Sequence, residues 1–248
     1  MKVFCEDKRI LGQTRKAIEE FNMINAKDSI TVGVSGGKDS LVLLYSLARL
    51  REFLNISFNI TAVVVNLGFD DYNTESTKDF CSLLDVDYVE EKTSIGEIVF
   101  NIRKENNPCS LCANLRRGAL NKTAIKLNCN KVALGHTRDD IIETFIMSLF
   151  YEGRINTFPP VTYLDRKKLY VIRPLIYIEE REITEFIKKN NILVTKNPCP
   201  VDKNTSRQYI KDLLKELSLK NKDIKSNIFG SIIRSNLDGF GGVHIQND

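Results

Sequence analysis

The sequence predicts a doubly wound α/β fold with a mostly parallel sheet, an N-terminal helix and a C-terminal helical extension. Three observations predict it. Short apolar runs recur at 30–34, 59–65, 86–91, 131–135 and 168–174, of the kind buried on both faces of a parallel sheet. Helical patterns at 39–50, 74–84, 113–127 and 139–150 alternate with them, as crossover connections require. With 248 residues, 42% hydrophobic and 27% charged, the chain can bury one large core with small appendages. The expected division is a lead-in at 1–28, an α/β domain at 29–175 that holds a C-x-x-C pair, and an extension at 176–248.

The lead-in places Ile10, Ala17, Ile18, Phe21 and Ile24 at near-helical spacing, which predicts an amphipathic helix lying over the main domain. The first strand then runs into Ser35-Gly36-Gly37-Lys38-Asp39-Ser40. A Walker A loop would need glycine at Val32 and Ser or Thr at Asp39, and the G-x-G-x-x-G pattern fails as well. The physical provision for an anion remains. Gly36 and Gly37 let backbone amides turn inward, the following helix offers its positive end, Lys38 adds charge, and Ser35 and Ser40 add hydroxyls. A plain strand-to-helix turn capped by Asp39 or Ser40 is the bland alternative.

After the strand at 131–135 comes LGHTRDDIIET, whose Gly135, His136, Asp139 and Asp140 fall at the same end of the predicted sheet as the glycine loop. In such sheets ligands bind beyond the carboxyl ends of the strands. Asp139 and Asp140, with Asp39 of the glycine loop, are hard oxygen donors suited to Mg²⁺, although acidic residues also open helices for dipole reasons. Arg173, at the end of the last predicted strand, is a further candidate for phosphate or substrate contact.

The chain has six cysteines and a start without the apolar core of a signal peptide, so a reducing, cytoplasmic setting is expected, with no membrane span. Cys109 and Cys112 form a C-x-x-C on one helix face, and Cys199 stands between two prolines; Cys81, in an apolar helix pattern, reads as core. Three readings compete for the trio. They are a zinc site short of a fourth ligand, a redox dithiol, and an iron-sulfur cluster on Cys109, Cys112 and Cys199 that leaves one iron open to a sulfur species. A formal charge of +4 permits an acidic partner without demanding one. Arg116, Arg117, Arg207 and the lysines at 211, 215, 220, 222 and 225 are candidates for RNA phosphates, against the alternative of solvated helix faces. Thr205 to Gln208 has the form of a capping box, which predicts a helix there.

SGGKDS resembles the PP-loop ATP pyrophosphatases, whose signature is SGG-x-DS. That resemblance implies a Rossmann-like PP-loop sheet and ATP cleaved between its α and β phosphates, with AMP passed to a substrate carbonyl oxygen. The stretches CSLCANLRRGALNKTA, LGHTRDDIIETFIMSLFYEG and VIRPL, the distal cysteine and the FNMI lead-in together resemble the tRNA 2-thiocytidine synthetase (TtcA-type) family over about residues 10–215. What that family implies is a [4Fe-4S] cluster on cysteines, Mg²⁺, a sulfur donor such as a cysteine desulfurase, and thiolation of a cytidine in the tRNA anticodon loop. Asp39, Cys109, Cys112 and Cys199 would be catalytic, and Ser35, Gly36, Gly37, Lys38, Asp39, Ser40, Gly135, His136 and Asp140 would bind ATP. Many members carry a second distal C-x-x-C where this chain has Cys199 alone. Rival readings are a lysidine synthetase, which has no use for the thiols, a uridine thiolase, and a nucleotide or RNA sensor without turnover. The oligomeric state is open, a homodimer included.

Overall fold

The computed structural model describes residues 4, 6–69, 72–103, 108–195, 199, 206–235 and 237–240. Helix α1 (Lys8–Glu20) opens on Asp7, whose carboxylate accepts the Arg9 and Ile10 amides at 3.0 and 3.2 Å. Six strands follow, β1 (Ser29–Gly33), β2 (Asn59–Asn66), β3 (Asp87–Lys92), β4 (Lys131–Ala133), β5 (Val161–Leu164) and β6 (Leu169–Ile172). The helices between and after them are α2 (Lys38–Phe53), α3 (Glu75–Leu83), α4 (Ile95–Glu97, continued as a π-helix Ile98–Arg103), α5 (Pro108–Lys126), α6 (Arg138–Met147, continued as a π-helix Ser148–Glu152), α7 (Glu180–Lys189), α8 (Ser206–Lys220) and α9 (Ile224–Arg234).

The sheet order is β3-β2-β1-β4-β6-β5, parallel except for the β5–β6 hairpin. The five predicted strands form the parallel part, and β5 is the strand that the apolar runs did not reveal. Its four residues are half-buried or exposed on an edge, so they carry no continuous apolar run. Chain order reverses between β1 and β4, and a crevice opens there beyond their carboxyl ends. The loops SGGKDS and GHTRDD flank it.

Helix α2 is buried on nearly every side, from Ser40 through Leu50, because α1 and α7 cover the face that the sheet does not. That fixes the loop before it. One apolar cluster runs from Ile10 and Ile18 of α1 through the sheet to Phe186 of α7, Ile210 and Leu214 of α8, and Ile232 of α9. A smaller one, with Leu120, Ala124, Val132 and Leu169, seats α5 on the opposite face. Cys81 and Cys129 are buried, and burial pushes the Cys81 thiol up to about 12. Among the described residues no helix is long and apolar enough to cross a membrane.

Candidate active site

The loop between β1 and α2 is pinned by its own serines. Ser40 Oγ accepts the Ser35 amide at 3.1 Å and donates to the Gly37 carbonyl at 2.8 Å. Gly36 sits at φ +76°, and a Cβ there would stand 2.7 Å from the Thr195 side chain, so geometry and space both demand glycine. No side chain caps α2 at Gly37, which leaves its positive end available to an anion.

Lys38 Nζ lies 3.1 and 3.0 Å from the two Asp39 oxygens and 2.9 Å from Glu180 Oε1 at the start of α7. Glu180 Oε2 takes Lys211 of α8 at 2.5 Å. Burial works against the Lys38 charge, but Asp39 and Glu180 outweigh it and raise its pKa. Burial raises the Asp39 carboxyl, with Lys38 opposing and Asp140 and Glu180 adding to the rise. All four charges therefore depend on one another.

The second loop approaches the first closely. A Cβ on Gly135 would stand 3.0 Å from the Asp39 backbone carbonyl, so glycine lets the two loops touch. Thr137 caps α6 in a capping box, its hydroxyl donating to Asp140 Oδ2 at 2.9 Å while the Asp140 amide donates back at 3.3 Å. Asp140 Oδ1 accepts Arg207 of α8 at 3.1 Å, and the same guanidinium reaches Glu143 at 3.3 Å and Thr144 at 3.0 Å. Burial, aided by Asp140, pushes Glu143 up to about 7. Asp139 has both oxygens engaged, one by Lys225 of α9 at 2.7 Å and the other by the Glu180 amide at 2.7 Å.

His136 is held neutral, its pKa lowered to about 4 by burial with neighbouring arginines adding to the effect of burial. Its ring lies 4.7 Å from Phe158, whose other neighbour is the Arg173 guanidinium at 5.0 Å. Arg173 is buried and donates to the Pro159 carbonyl at 2.6 Å and to Thr162 at 3.1 Å. Its guanidinium thus braces the crevice wall.

The crevice has three connected bays. The first, about 430 Å³, is lined by Lys38, Asp39, Asp139, Asp140, Cys109, Cys112, Cys199 and Arg207, among others. The second lies over the glycine loop and reaches Phe69, Tyr72 and Thr195. The third, about 490 Å³, is apolar in its floor, with Val63, Val65, Leu120 and Val171, and polar at its rim, with His136, Arg116, Arg117 and Arg173. Arg116 borders all three. The Cys112 thiol is raised by burial, lowered by Arg116, and raised again by Cys199 and Cys109, so the three sulfurs feel one another. Among the described residues no group of three or more Cys, His, Asp or Glu is drawn tightly enough together to hold a metal ion as it stands.

The predicted residues thus converge, and two groups do so in an unforeseen manner. Arg207, Lys211 and Lys225, read as candidates for RNA phosphates, turn inward to carboxylates; Lys215, Lys220 and Lys222 stay exposed. Glu180 belongs to the site although it falls in no motif, and Glu143 and Thr137 do so from within LGHTRDDIIET, where other residues drew the attention. The only signal for Glu180 was its place at the head of a helix, a place that acidic residues often occupy. The Thr205 part of the predicted capping box and most of 196–205 lie outside the described residues, while α8 begins at Ser206 as that box predicts.

A family model described as a PP-loop domain matches residues 9–217. A tRNA-cytidine(32) 2-sulfurtransferase of Pelobacter propionicus is 37% identical over 228 residues, which covers 91% of this chain and 85% of that protein. The chain belongs to the tRNA-cytidine(32) 2-sulfurtransferase family of PP-loop proteins. A second member, from Geobacter sulfurreducens, is 34% identical over 228 residues, covering 91% of this chain and 89% of its own. Among solved structures, the U34-tRNA thiolase NcsA from Methanococcus maripaludis, described with its [4Fe-4S] cluster, superposes with a TM-score of 0.71. It is 25% identical, and the match covers 89% of this chain and 76% of that one. An NH3-dependent NAD synthetase from Campylobacter jejuni shares the fold alone, at a TM-score of 0.52 and 16% identity, over 92% of each chain. Within the sulfurtransferase family, the span 9–217 takes in both crevice loops and all three crevice cysteines.

Proposed function

We propose that this protein is an ATP-dependent tRNA sulfurtransferase that adenylates the C2 carbonyl oxygen of cytidine 32 in the anticodon loop and replaces that oxygen with sulfur. One observation carries the reading: the phosphate loop, Lys38 and Asp39, and the three thiols Cys109, Cys112 and Cys199 line the same bay. Activation and sulfur delivery can therefore share one bay. A PP-loop ligase without sulfur chemistry would have no reason to place thiols there.

The C2 oxygen of cytosine is a poor leaving group, so it must first become a phosphate ester. It attacks the α phosphorus of ATP, and the bond to pyrophosphate breaks. Lys38 and the positive end of α2 stabilise the departing pyrophosphate. To do so Lys38 exchanges Asp39 and Glu180 for phosphate oxygens, and Lys211 keeps Glu180 neutralised while it does. Asp39, Asp139 and Asp140 are the carboxylates that would hold Mg²⁺, and each must give up a partner to do so: Lys38 for Asp39, Lys225 for Asp139 and Arg207 for Asp140. The apolar third bay suits a flat base, with neutral His136 on its rim.

Three soft sulfur ligands bordering one bay suit a cluster of the [4Fe-4S] type, and Cys109, Cys112 and Cys199, once drawn together and deprotonated, would hold it. Bound there, the cluster supplies an iron able to carry sulfur. Sulfur at the sulfide level adds to C2, the C2–O bond breaks, and AMP leaves with the original oxygen, so no net oxidation occurs. A sulfur donor must supply that sulfide; if the donor is a cysteine desulfurase, which passes on persulfide sulfur, a two-electron reductant such as a thiol must first bring it to the sulfide level. A tRNA substrate accords with a cytoplasmic reaction. The target base is splayed out of the loop to reach the bay.

The test is anaerobic reconstitution with iron and sulfide, followed by ATP, Mg²⁺, a sulfur source and total tRNA, with mass spectrometry of the digested nucleosides. A 2-thiocytidine that depends on ATP and iron, mapped to position 32, is the expected result. A 2-thiouridine in its place would make the protein a uridine thiolase, and no thiolated base with a fully loaded cluster would refute sulfur transfer to tRNA.

A further inference from the structure

The cations around the crevice and its approaches differ in what they meet. The cations of the C-terminal helices that approach the crevice, Arg207, Lys211 and Lys225, are spent on carboxylates. By contrast, among the described residues Arg117, Arg166 and Lys167 have no carboxylate within ion-pair distance; Arg117 donates only to Asn114, at 3.1 Å. All three line one groove of about 470 Å³ between α5 and the β5–β6 hairpin, whose turn is a 3-10 segment Asp165–Lys167. The groove meets the third bay of the crevice at Arg117 and Leu164, which border both.

A second feature of the groove points the same way. Gly118 lies inside α5 on the groove wall, where glycine costs about 1 kcal/mol relative to alanine. A Cβ there would meet nothing within 4 Å, so no neighbour inside the protein demands the glycine. A bare stretch of helix does admit close approach by something outside it. With three unpaired cations against the one carboxylate of Asp165, the walls favour an anion extended along the groove.

We propose that the groove between α5 and the β5–β6 hairpin holds the phosphate backbone of the anticodon stem-loop, with Arg117, Arg166 and Lys167 as its phosphate contacts and Gly118 as the point of closest approach. This rests on tRNA being the substrate. The direction follows from the shared border: a strand lying in the groove leads to Arg117 and Leu164, and a base turned out at that point enters the third bay. The exposed lysines of α8 and its far end, Lys220 and Lys222, lie outside this path and contribute only general attraction.

The experiment measures binding of a fluorescent anticodon stem-loop RNA carrying C32, across a series of salt concentrations. The double variant Arg166→Ala, Lys167→Ala alters an exposed turn and should weaken binding roughly tenfold or more, with the slope of log K against log salt reduced by about 2. Gly118→Gln keeps the net charge, improves helix propensity and fills the groove; it should weaken binding without lowering the melting temperature. Lys220→Ala with Lys222→Ala should change affinity less than threefold or so. ATP binding should be unaltered in all of them. If the groove variants bind RNA like the wild type, or if the Lys220 and Lys222 pair accounts for the larger loss, the groove is not the RNA path. Unchanged RNA affinity with slower thiolation from a protein sulfur donor would assign the groove to that donor and overturn the proposal. Failure of the wild type itself to bind tRNA would bring down the sulfurtransferase reading along with the groove, a result distinct from the other two.

Discussion

Strands β1 and β4 end in charges at both of their edges, and the two edges behave as opposites. At the amino ends Asp28 and Lys131 meet at 2.6 Å with their side chains 7% and 6% exposed. Further partners surround the pair: Asn130 donates to Asp28 at 2.7 Å, the Asn25 amide at 2.6 Å, and Lys131 reaches the Met23 carbonyl at 2.8 Å. At the carboxyl ends Lys38, Asp39 and Glu180 are 28%, 34% and 28% exposed and face a bay. A buried pair holds two strands together but cannot readily trade partners, because losing one charge strands the other. A half-open network can exchange a carboxylate for a phosphate at small cost. Coulomb attraction is common to both ends; access to an incoming anion separates stability from function.

The largest expected effects fall at the open end. Asp39→Ala should reduce pyrophosphate release by at least about a hundredfold while the reconstituted cluster absorbance persists. Cys112→Ala should do the converse, abolishing cluster uptake and thiolation with ATP binding retained. A melting temperature within about 3 °C of wild type is expected for both, since neither residue is core. A large loss of stability in either would erase the distinction between the two ends.

Next comes the closed end. Lys131→Met should cost about 3–5 kcal/mol by leaving Asp28 buried and unpaired, read by urea unfolding. The double change Asp28→Leu, Lys131→Met should recover much of that loss, and the specific activity of folded protein should stay within about twofold throughout. If activity collapses while the fold survives, the amino ends are coupled to catalysis after all.

Acid sharpens the same contrast. Burial alone would raise the Asp28 carboxyl, but the hydrogen bonds from Lys131, Asn130 and the Asn25 amide hold it below its ordinary 3.8. A depressed folded-state pKa means that the stabilisation is complete above the unfolded value and disappears as pH falls through the lower folded one. The stability gap between wild type and Asp28→Asn should therefore narrow below about pH 4, and a constant gap would show that the charge plays no part. The smallest effect is that of Thr137→Ala, about 1 kcal/mol from the lost cap, with a higher KM for ATP as Asp140 loses its orientation.

Much of the site was legible because its chemistry is contiguous. SGGKDS and GHTRDD each place their glycines, charges and hydroxyls within a few residues, and each follows an apolar strand, so local periodicity located both at one end of a sheet. Strand β5 was not legible, since a four-residue edge strand with half-exposed side chains lacks the burial that writes an apolar run. Glu180 and Lys211 looked like ordinary helix-surface charges, yet Glu180 meets Lys38 across more than 100 residues of sequence and Lys211 joins the pair from the next helix. Arg207 had the right charge for RNA and is instead engaged with Asp140 and Glu143.

By itself, then, the sequence determined the alternating α/β order, the phosphate loop and the trio of thiols, because backbone conformation, helix ends and ligand softness are properties of neighbouring residues. Only the tertiary structure decided which charges are spent internally and which remain for a substrate. That choice depends on distances between α2, α7, α8 and the hairpin, and an ion pair records the packing of whole elements rather than the spacing of residues along the chain.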